Sequence, residues 1–442
     1  MLEHTKLLAC ALISSLFMSQ ATYAQEVKAN VEVKDTSGVM ITDVRLQDDY
    51  YNAVNKDWLN SAVIKDGYSG TNAGMEVYYK LNEQKYELVN ELIADKKNLD
   101  SNSDEKKIVN LYENYLNTEQ RNKEGITPIM PILNKIKNIK SLDEINNLDK
   151  DNIVNPILSF QCMADLEDSD KYALYINSST LSLGDSDVYV SPTDMSKKKQ
   201  ELYSKYFIKI LTLAGYTEDQ AKAKVDNKFK FEYMIATYIM GKEESTKDDD
   251  SIKKIYNVLT ADELDSMAPN LKIKEYLKNA KVDNANKIIL TEPKWFKGLN
   301  DIYKEENLQM LKDYIEISNL SAYVSLLSDD FAKAQTEFAN ELMGSQGETS
   351  KEEKAMALVA SVLDESLGKA YVEKYFDPEV KTNVESMIND VITNYKSRIN
   401  NLDWMSDETK SNAIKKLDSL KVNVAYPDKW EDYSALDIKS YD

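Results

Sequence analysis

The chain has 442 residues, a formal net charge of −20, one histidine and two cysteines. That length suffices to bury a sizeable core and makes more than one domain the default. The acidic balance, with lysines scattered rather than gathered into a basic stripe with aromatics, argues against a nucleic-acid partner.

Residues 1–24 read as a secretory signal. Lys6 closes a short polar start, an apolar run follows from Leu7 to Met18, and Ala21-Thr22-Tyr23-Ala24 offers a cleavage point. The run is too short for a permanent membrane helix, and no later segment is long and apolar enough to span a bilayer. Leu7-Leu8-Ala9-Cys10 is only faintly like a lipoprotein box, because Cys10 would sit inside the apolar run. Export without a lipid anchor or a transmembrane anchor is therefore expected. His4 falls in this segment, so the exported chain has lost the usual acid/base near neutral pH and the commonest metal ligand. Cys10 falls there too, which leaves Cys162 without an intramolecular partner and the fold dependent on its core. Residues 25–44 carry few aromatics and no period, and read as a flexible leader.

Beyond the leader the pattern is helical. Only 12 glycines and 8 prolines punctuate the chain, which argues against many short strands and tight turns. Four pairs fit the capping box, in which a hydroxyl accepts from an early backbone N–H and the third-turn side chain reaches back: Ser141 with Glu144, Thr217 with Gln220, Thr260 with Glu263, and Ser350 with Glu353. Leu308, Leu311 and Ile315 begin one apolar stripe. Val384, Met387, Ile388, Val391, Ile392, Tyr395 and Ile399 form the clearest one, on one face of a 3.6-period helix. The exception is Tyr172–Asn177 with Thr180–Leu183, two β-rich runs separated by Ser178-Ser179, which predict a small hairpin. The run Asp248-Asp249-Asp250 reads as a solvated loop. The fold class is mainly α.

No residue set here carries chemistry by itself. Cys162 has no histidine to activate it and reads as a buried apolar filler. Asp165, Asp168 and Asp170 alternate as calcium ligands do, yet lack the glycine and distal glutamate of an EF-hand, so a solvated turn before the hairpin is expected. Neither Ser69-Gly70 nor Ser345-Gln346-Gly347 makes the Gly-x-Ser-x-Gly elbow of a serine hydrolase. Nothing singles out one carboxylate pair among the 75 acidic residues. Catalytic and metal-ligating residues are accordingly none, and substrate-binding residues are unknown.

Five ordered blocks nevertheless carry a resemblance. Asp48-Asp49-Tyr50-Tyr51, Asn55 and Trp58-Leu59 come first, then Leu111–Leu116 with Arg121-Asn122 and Gly125. Leu181-Ser182-Leu183-Gly184-Asp185 with Tyr189 follows, then Leu367-Gly368 with Tyr371-Val372 and Phe376. Trp404-Met405 with Thr409-Lys410, and Tyr426-Pro427-Asp428, close the set. The chain resembles the neprilysin and endothelin-converting-enzyme family of zinc metallopeptidases. Lys56 stands where that family has glycine, and Tyr50 where it has Phe. Trp58, Trp404 and Trp430 lie at matched blocks and read as core aromatics.

The resemblance implies two helical lobes around an internal chamber for peptide substrates, with zinc as the cofactor of the full-length family. It implies one peptidase N-terminal domain over residues 45–442. Residues 90–375 would form the chamber lobe, and residues 45–90 and 380–442 linker helices and the edge of a catalytic lobe. The family's His-Glu-x-x-His places two zinc ligands on one helix face with a general base between them. It follows the Tyr-Pro-Asp block there and has no counterpart here, so the chain alone is expected to be inactive. Residues 64–80 contain no arginine where the family often holds the substrate's carboxyl end. The alternative expectation is a non-catalytic peptide-binding module, or the partner of a separate catalytic chain. Either way, the Val384–Ile399 stripe and the Trp58 region should leave apolar surface exposed.

Overall fold

The computed structural model describes residues 44–151, 153–247 and 251–441. His4, Cys10, the signal segment, the leader up to residue 43 and Asp248-Asp249-Asp250 lie outside them. Among the described residues the principal helices are α1 (Tyr50–Ser61), α2 (Ala73–Ala94), α3 (Asp104–Leu116), α4 (Thr118–Glu124) and α5 (Met130–Asn138). There follow α6 (Asp194–Leu213), α7 (Glu218–Ala236), α8 (Pro293–Ile302), α9 (Leu308–Tyr323) and α10 (Asp329–Met343). The last four are α11 (Lys351–Val362), α12 (Asp364–Tyr375), α13 (Pro378–Asn400) and α14 (Asp407–Asp418). The protein is mainly α, as its apolar periodicity predicts.

The caps behave as hydroxyl chemistry demands, with one exception. Thr217 Oγ1 accepts from the Gln220 N–H at 3.3 Å while Gln220 accepts from the Thr217 N–H at 3.0 Å. Thr260 and Glu263 exchange the same pair of bonds, and Ser350 Oγ accepts from the Glu353 N–H at 3.0 Å. Ser141 precedes the short helix Leu142–Ile145 but does not cap it with its side chain. Glu144 reaches back instead to the Lys140 N–H at 3.1 Å.

The hairpin is corrected by the structure. Its strands are β1 (Ser159–Ala164) and β2 (Tyr172–Asn177), antiparallel with Ser159 opposite Asn177 and Ala164 opposite Tyr172. The loop closes through the Asp165 N–H to the Lys171 carbonyl at 2.9 Å. Thr180–Leu183 forms no strand, because Leu181 and Leu183 are buried in the helical core and Ser179 Oγ donates to the Ile157 carbonyl at 2.7 Å. With β3 (Asn257–Leu259) and β4 (Ile288–Leu290), the strands make one sheet in the order β1-β2-β4-β3. The two central strands pair in parallel and are the buried ones, as expected of strands covered on both faces.

The helices and strands gather into two compact units. The first contains the described residues up to Thr71 and Asn117–Thr349. Its core includes Phe231 of α7 against Tyr314 of α9, ring centroids 4.5 Å apart. Phe338 of α10 stacks on Tyr206 of α6 at 4.4 Å. Trp295 on α8 is fully buried. A Cβ at Gly298 on that helix would lie 2.2 Å from the Tyr238 ring, so only glycine admits this contact.

The second unit contains Asn72–Leu116 and Ser350–Asp442. Its core joins Leu88 and Val89 of α2, Ile108 and Val109 of α3, Met356 and Val359 of α11, and Leu367 of α12. The segment after α14 is tied along α3. Lys107 Nζ donates to the Tyr433 carbonyl at 2.8 Å, Asn110 to Ile438 at 2.8 Å, and Asn114 to Lys439 at 2.7 Å. Neither α13 nor α14 contains a buried residue.

Candidate functional site

Two clusters of charged side chains lie inside the first unit. Glu232 on α7 is fully buried and accepts from three donors on its two oxygens. Lys228 Nζ stands at 2.8 Å, Ser182 Oγ at 2.7 Å and Tyr189 Oη at 2.6 Å, while Tyr189 in turn accepts from the Leu183 N–H at 2.9 Å. Lys228 also lies over the Tyr314 ring, 4.4 Å from its centroid. Burial first, and the Glu232 charge second, push the Tyr189 hydroxyl well above the usual tyrosine range. A phenol so held donates its proton and keeps it.

The second cluster puts Lys224 Nζ 2.6 Å from both Asp313 and Glu316 on α9. Asn227 and Gln309 donate to Asp313 at 2.7 Å and 2.9 Å. Tyr216 donates to Glu316. Both clusters are saturated with their own hydrogen bonds, which is the condition for tolerating buried charge. Neither presents a free base or nucleophile. The Lys228–Glu232 spacing of four on one helix is the sequence signal for the first pair; nothing in the sequence links Lys224 to a helix almost ninety residues on.

Asp165 departs from the solvated-turn expectation, being only 2% exposed. The Lys287 ammonium, and then the Tyr256 hydroxyl at 2.6 Å, hydrogen-bond its carboxylate and hold its pKa down at about 2. Asp168 pairs with Lys171. Asp170 is exposed in the same turn. The three aspartates therefore point to separate tasks and do not converge. Cys162, expected as a buried filler, is exposed; β1 is an edge strand whose last four residues face solvent.

Several of the residues that carry the family resemblance make structural contacts. Asp49 caps α1, accepting from the Asn52 N–H at 3.0 Å, while Asp48 holds Arg45 in a two-bond pair. Buried Arg121 donates to the carbonyls of Ser325 and Leu327 at 3.0 and 2.6 Å. Asn122 accepts from the Asp329 N–H at 2.8 Å and so caps α10. Ser182, Leu183 and Tyr189 close on Glu232, as described above. Phe376 meets Tyr426 edge to face, and Tyr426 stacks on Trp430, so Trp430 packs as a core-edge aromatic. Trp58 is half-buried. Trp404 contradicts its assignment to the core, being 74% exposed.

No group of three or more His, Cys, Asp or Glu that could hold a metal ion is present among the described residues. The described residues therefore offer no ligand set that fits zinc. What the chain does present is apolar surface. On α13, Met387, Val391 and Tyr395 are 58%, 54% and 56% exposed, in the stripe that the periodicity picks out. On α1, Tyr50, Tyr51 and Val54 are likewise exposed. No helix among the described residues is long and apolar enough to cross a membrane.

A family model described as Peptidase family M13 matches residues 46–427. Neutral endopeptidase of Lactobacillus helveticus is 26% identical over 396 residues, which cover 89% of this chain. The chain spans 60% of that relative's length. Neprilysin-3 of Drosophila melanogaster is 25% identical, covering 89% of this chain and 52% of its own. Among solved structures, PepO from Lactobacillus rhamnosis superposes with a TM-score of 0.79 at 21% identity, over 89% of this chain and 62% of that one.

Proposed function

The chain belongs to peptidase family M13, and on that premise we propose that it is the N-terminal part of a secreted neprilysin-like zinc metalloendopeptidase acting on small peptides. Its task is to build and wall the substrate chamber, while zinc and the residues that bind it are supplied from outside the described residues. The observation that carries this reading is a family match over residues 46–427 on a chain whose described residues hold no metal-ligand cluster. The Leu7–Met18 apolar run supports export, and a mature N-terminus at Gln25 is expected on sequencing the exported protein.

The purified chain, incubated with zinc and a mixture of fluorogenic peptides, is expected to cleave none of them. Cleavage that a chelator abolishes and added zinc restores would overturn this reading. The exposed stripe on α13 favours a second reading, in which the chain serves as a non-catalytic peptide-binding module or as the partner of a separate catalytic chain. Short peptides bound without cleavage, or a catalytic chain recovered on the α13 face, support that alternative.

A further inference from the structure

The second unit contains a cavity of about 270 Å³ between α2, α11 and α12. Its apolar wall is Leu81 of α2, Ala360 of α11, and Leu367 and Tyr371 of α12. Two charged side chains open on it, Lys85 from α2 and Asp364 from the first turn of α12. Gly368 also lines it, and a Cβ there would meet the Trp430 indole at 3.6 Å, an ordinary contact distance.

Lys85 is half-buried, and its burial alone lowers its pKa, with no opposing charge to raise it. No hydrogen bond or ion pair to another described residue engages its ammonium. Two other half-buried lysines have a carbonyl or carboxylate acceptor: Lys199 reaches the Leu183 carbonyl at 2.9 Å, and Lys224 its two acids. Lys85 thus keeps the desolvation cost without the compensating bond. Asp364 lies at the exposed rim and uses one oxygen to accept from Tyr433 Oη at 2.6 Å. Lys85 and Asp364 line one cavity, and no ion pair joins them. A guest bearing both charges can meet both.

We propose that this cavity binds a free α-amino acid with an apolar side chain. The ligand's carboxylate lies on the Lys85 ammonium, its ammonium group faces Asp364, and its side chain packs against Leu81, Ala360, Leu367 and Tyr371. The volume lies just below the usual range of ligand pockets and suits a leucine- or phenylalanine-sized guest. The site is built from this chain's own residues and does not depend on peptidase activity.

The test is an NMR titration of the purified chain with L-leucine, N-acetyl-L-leucine and L-leucinamide, repeated on Lys85→Gln. L-leucine is expected to bind with a Kd on the order of 1 mM. Each capped analogue, lacking one charge, should bind about tenfold more weakly, and K85Q should weaken L-leucine by about tenfold at an unchanged melting temperature. The proposal is overturned if L-leucine shows no saturable binding. It is overturned as well if N-acetyl-L-leucine binds as tightly as L-leucine, which marks a plain anion site, or if K85Q binds L-leucine like the parent. Because the capped analogues are tested on the unaltered chain, the result does not hang on how the variant folds.

Discussion

Glu232 shows what single residues accomplish in this protein. Its carboxylate sits at the meeting point of Lys228, Ser182 and Tyr189, so it joins the 181–189 block to α7. Replacing it with alanine leaves the Lys228 ammonium buried and unpaired, a change that costs about 3–5 kcal/mol in comparable sites. Urea unfolding of Glu232→Ala should show the unfolding free energy reduced by about that amount, with a lower midpoint, and an unshifted midpoint would show that water satisfies Lys228. Asp165 gives the pH-dependent counterpart. Its pKa is lowered in the folded state from 3.8 to about 2, so it stabilises the fold above pH 4 and loses that contribution as pH falls through 2. Asp165→Asn should therefore flatten the acid-unfolding profile between those values, with little additional effect of acid on the variant. The Lys228–Glu232 spacing was legible on a helix. The Asp165–Lys287 pair was not, since 122 residues separate the partners and only the sheet brings them together.

Among the elements, α13 is the one whose pattern and environment disagree. Its stripe has the periodicity of a core-facing helix, yet Met387, Val391 and Tyr395 face solvent and α13 buries no residue. A patch of this kind promotes association. The double variant Met387→Glu, Val391→Glu should lower light scattering at high protein concentration while moving the melting temperature little, because exposed substitutions usually cost within about 0.5 kcal/mol. A large fall in melting temperature would show that the stripe is packed after all. The β elements reveal a different limit of the sequence. Strand β2 stood out by its apolar run, but its partner was misassigned to Thr180–Leu183. Alternation alone does not say whether a leucine faces a strand or a helix, and here Leu181 and Leu183 face the helices.

The whole molecule is divided in space differently from the way it is written in sequence. The chain passes between its two units after Thr71, Leu116 and Thr349, and two glycines shape the loops that lead to these points. Gly67 and Gly347 have φ of +84° and +73°, and the Gly67 N–H donates to the Gln346 carbonyl at 2.6 Å. A Cβ on Gly347 would lie 2.7 Å from the Asp66 side chain. Gly347→Ala should accordingly cost about 1–3 kcal/mol through left-handed strain and the clash together, read as a lowered melting temperature; an unaltered one would mean that the loop rebuilds freely. From the sequence alone came the helical class, most of the caps, the exposed stripe and the family, because these rest on residues close together in the chain or on motifs in fixed order. Tertiary structure alone decided that Asp165 is buried and Cys162 is not, which strands pair, and that Lys85 and Asp364 share a cavity. Burial and charge pairing depend on which distant segments arrive at the same place, and no local pattern encodes that arrival.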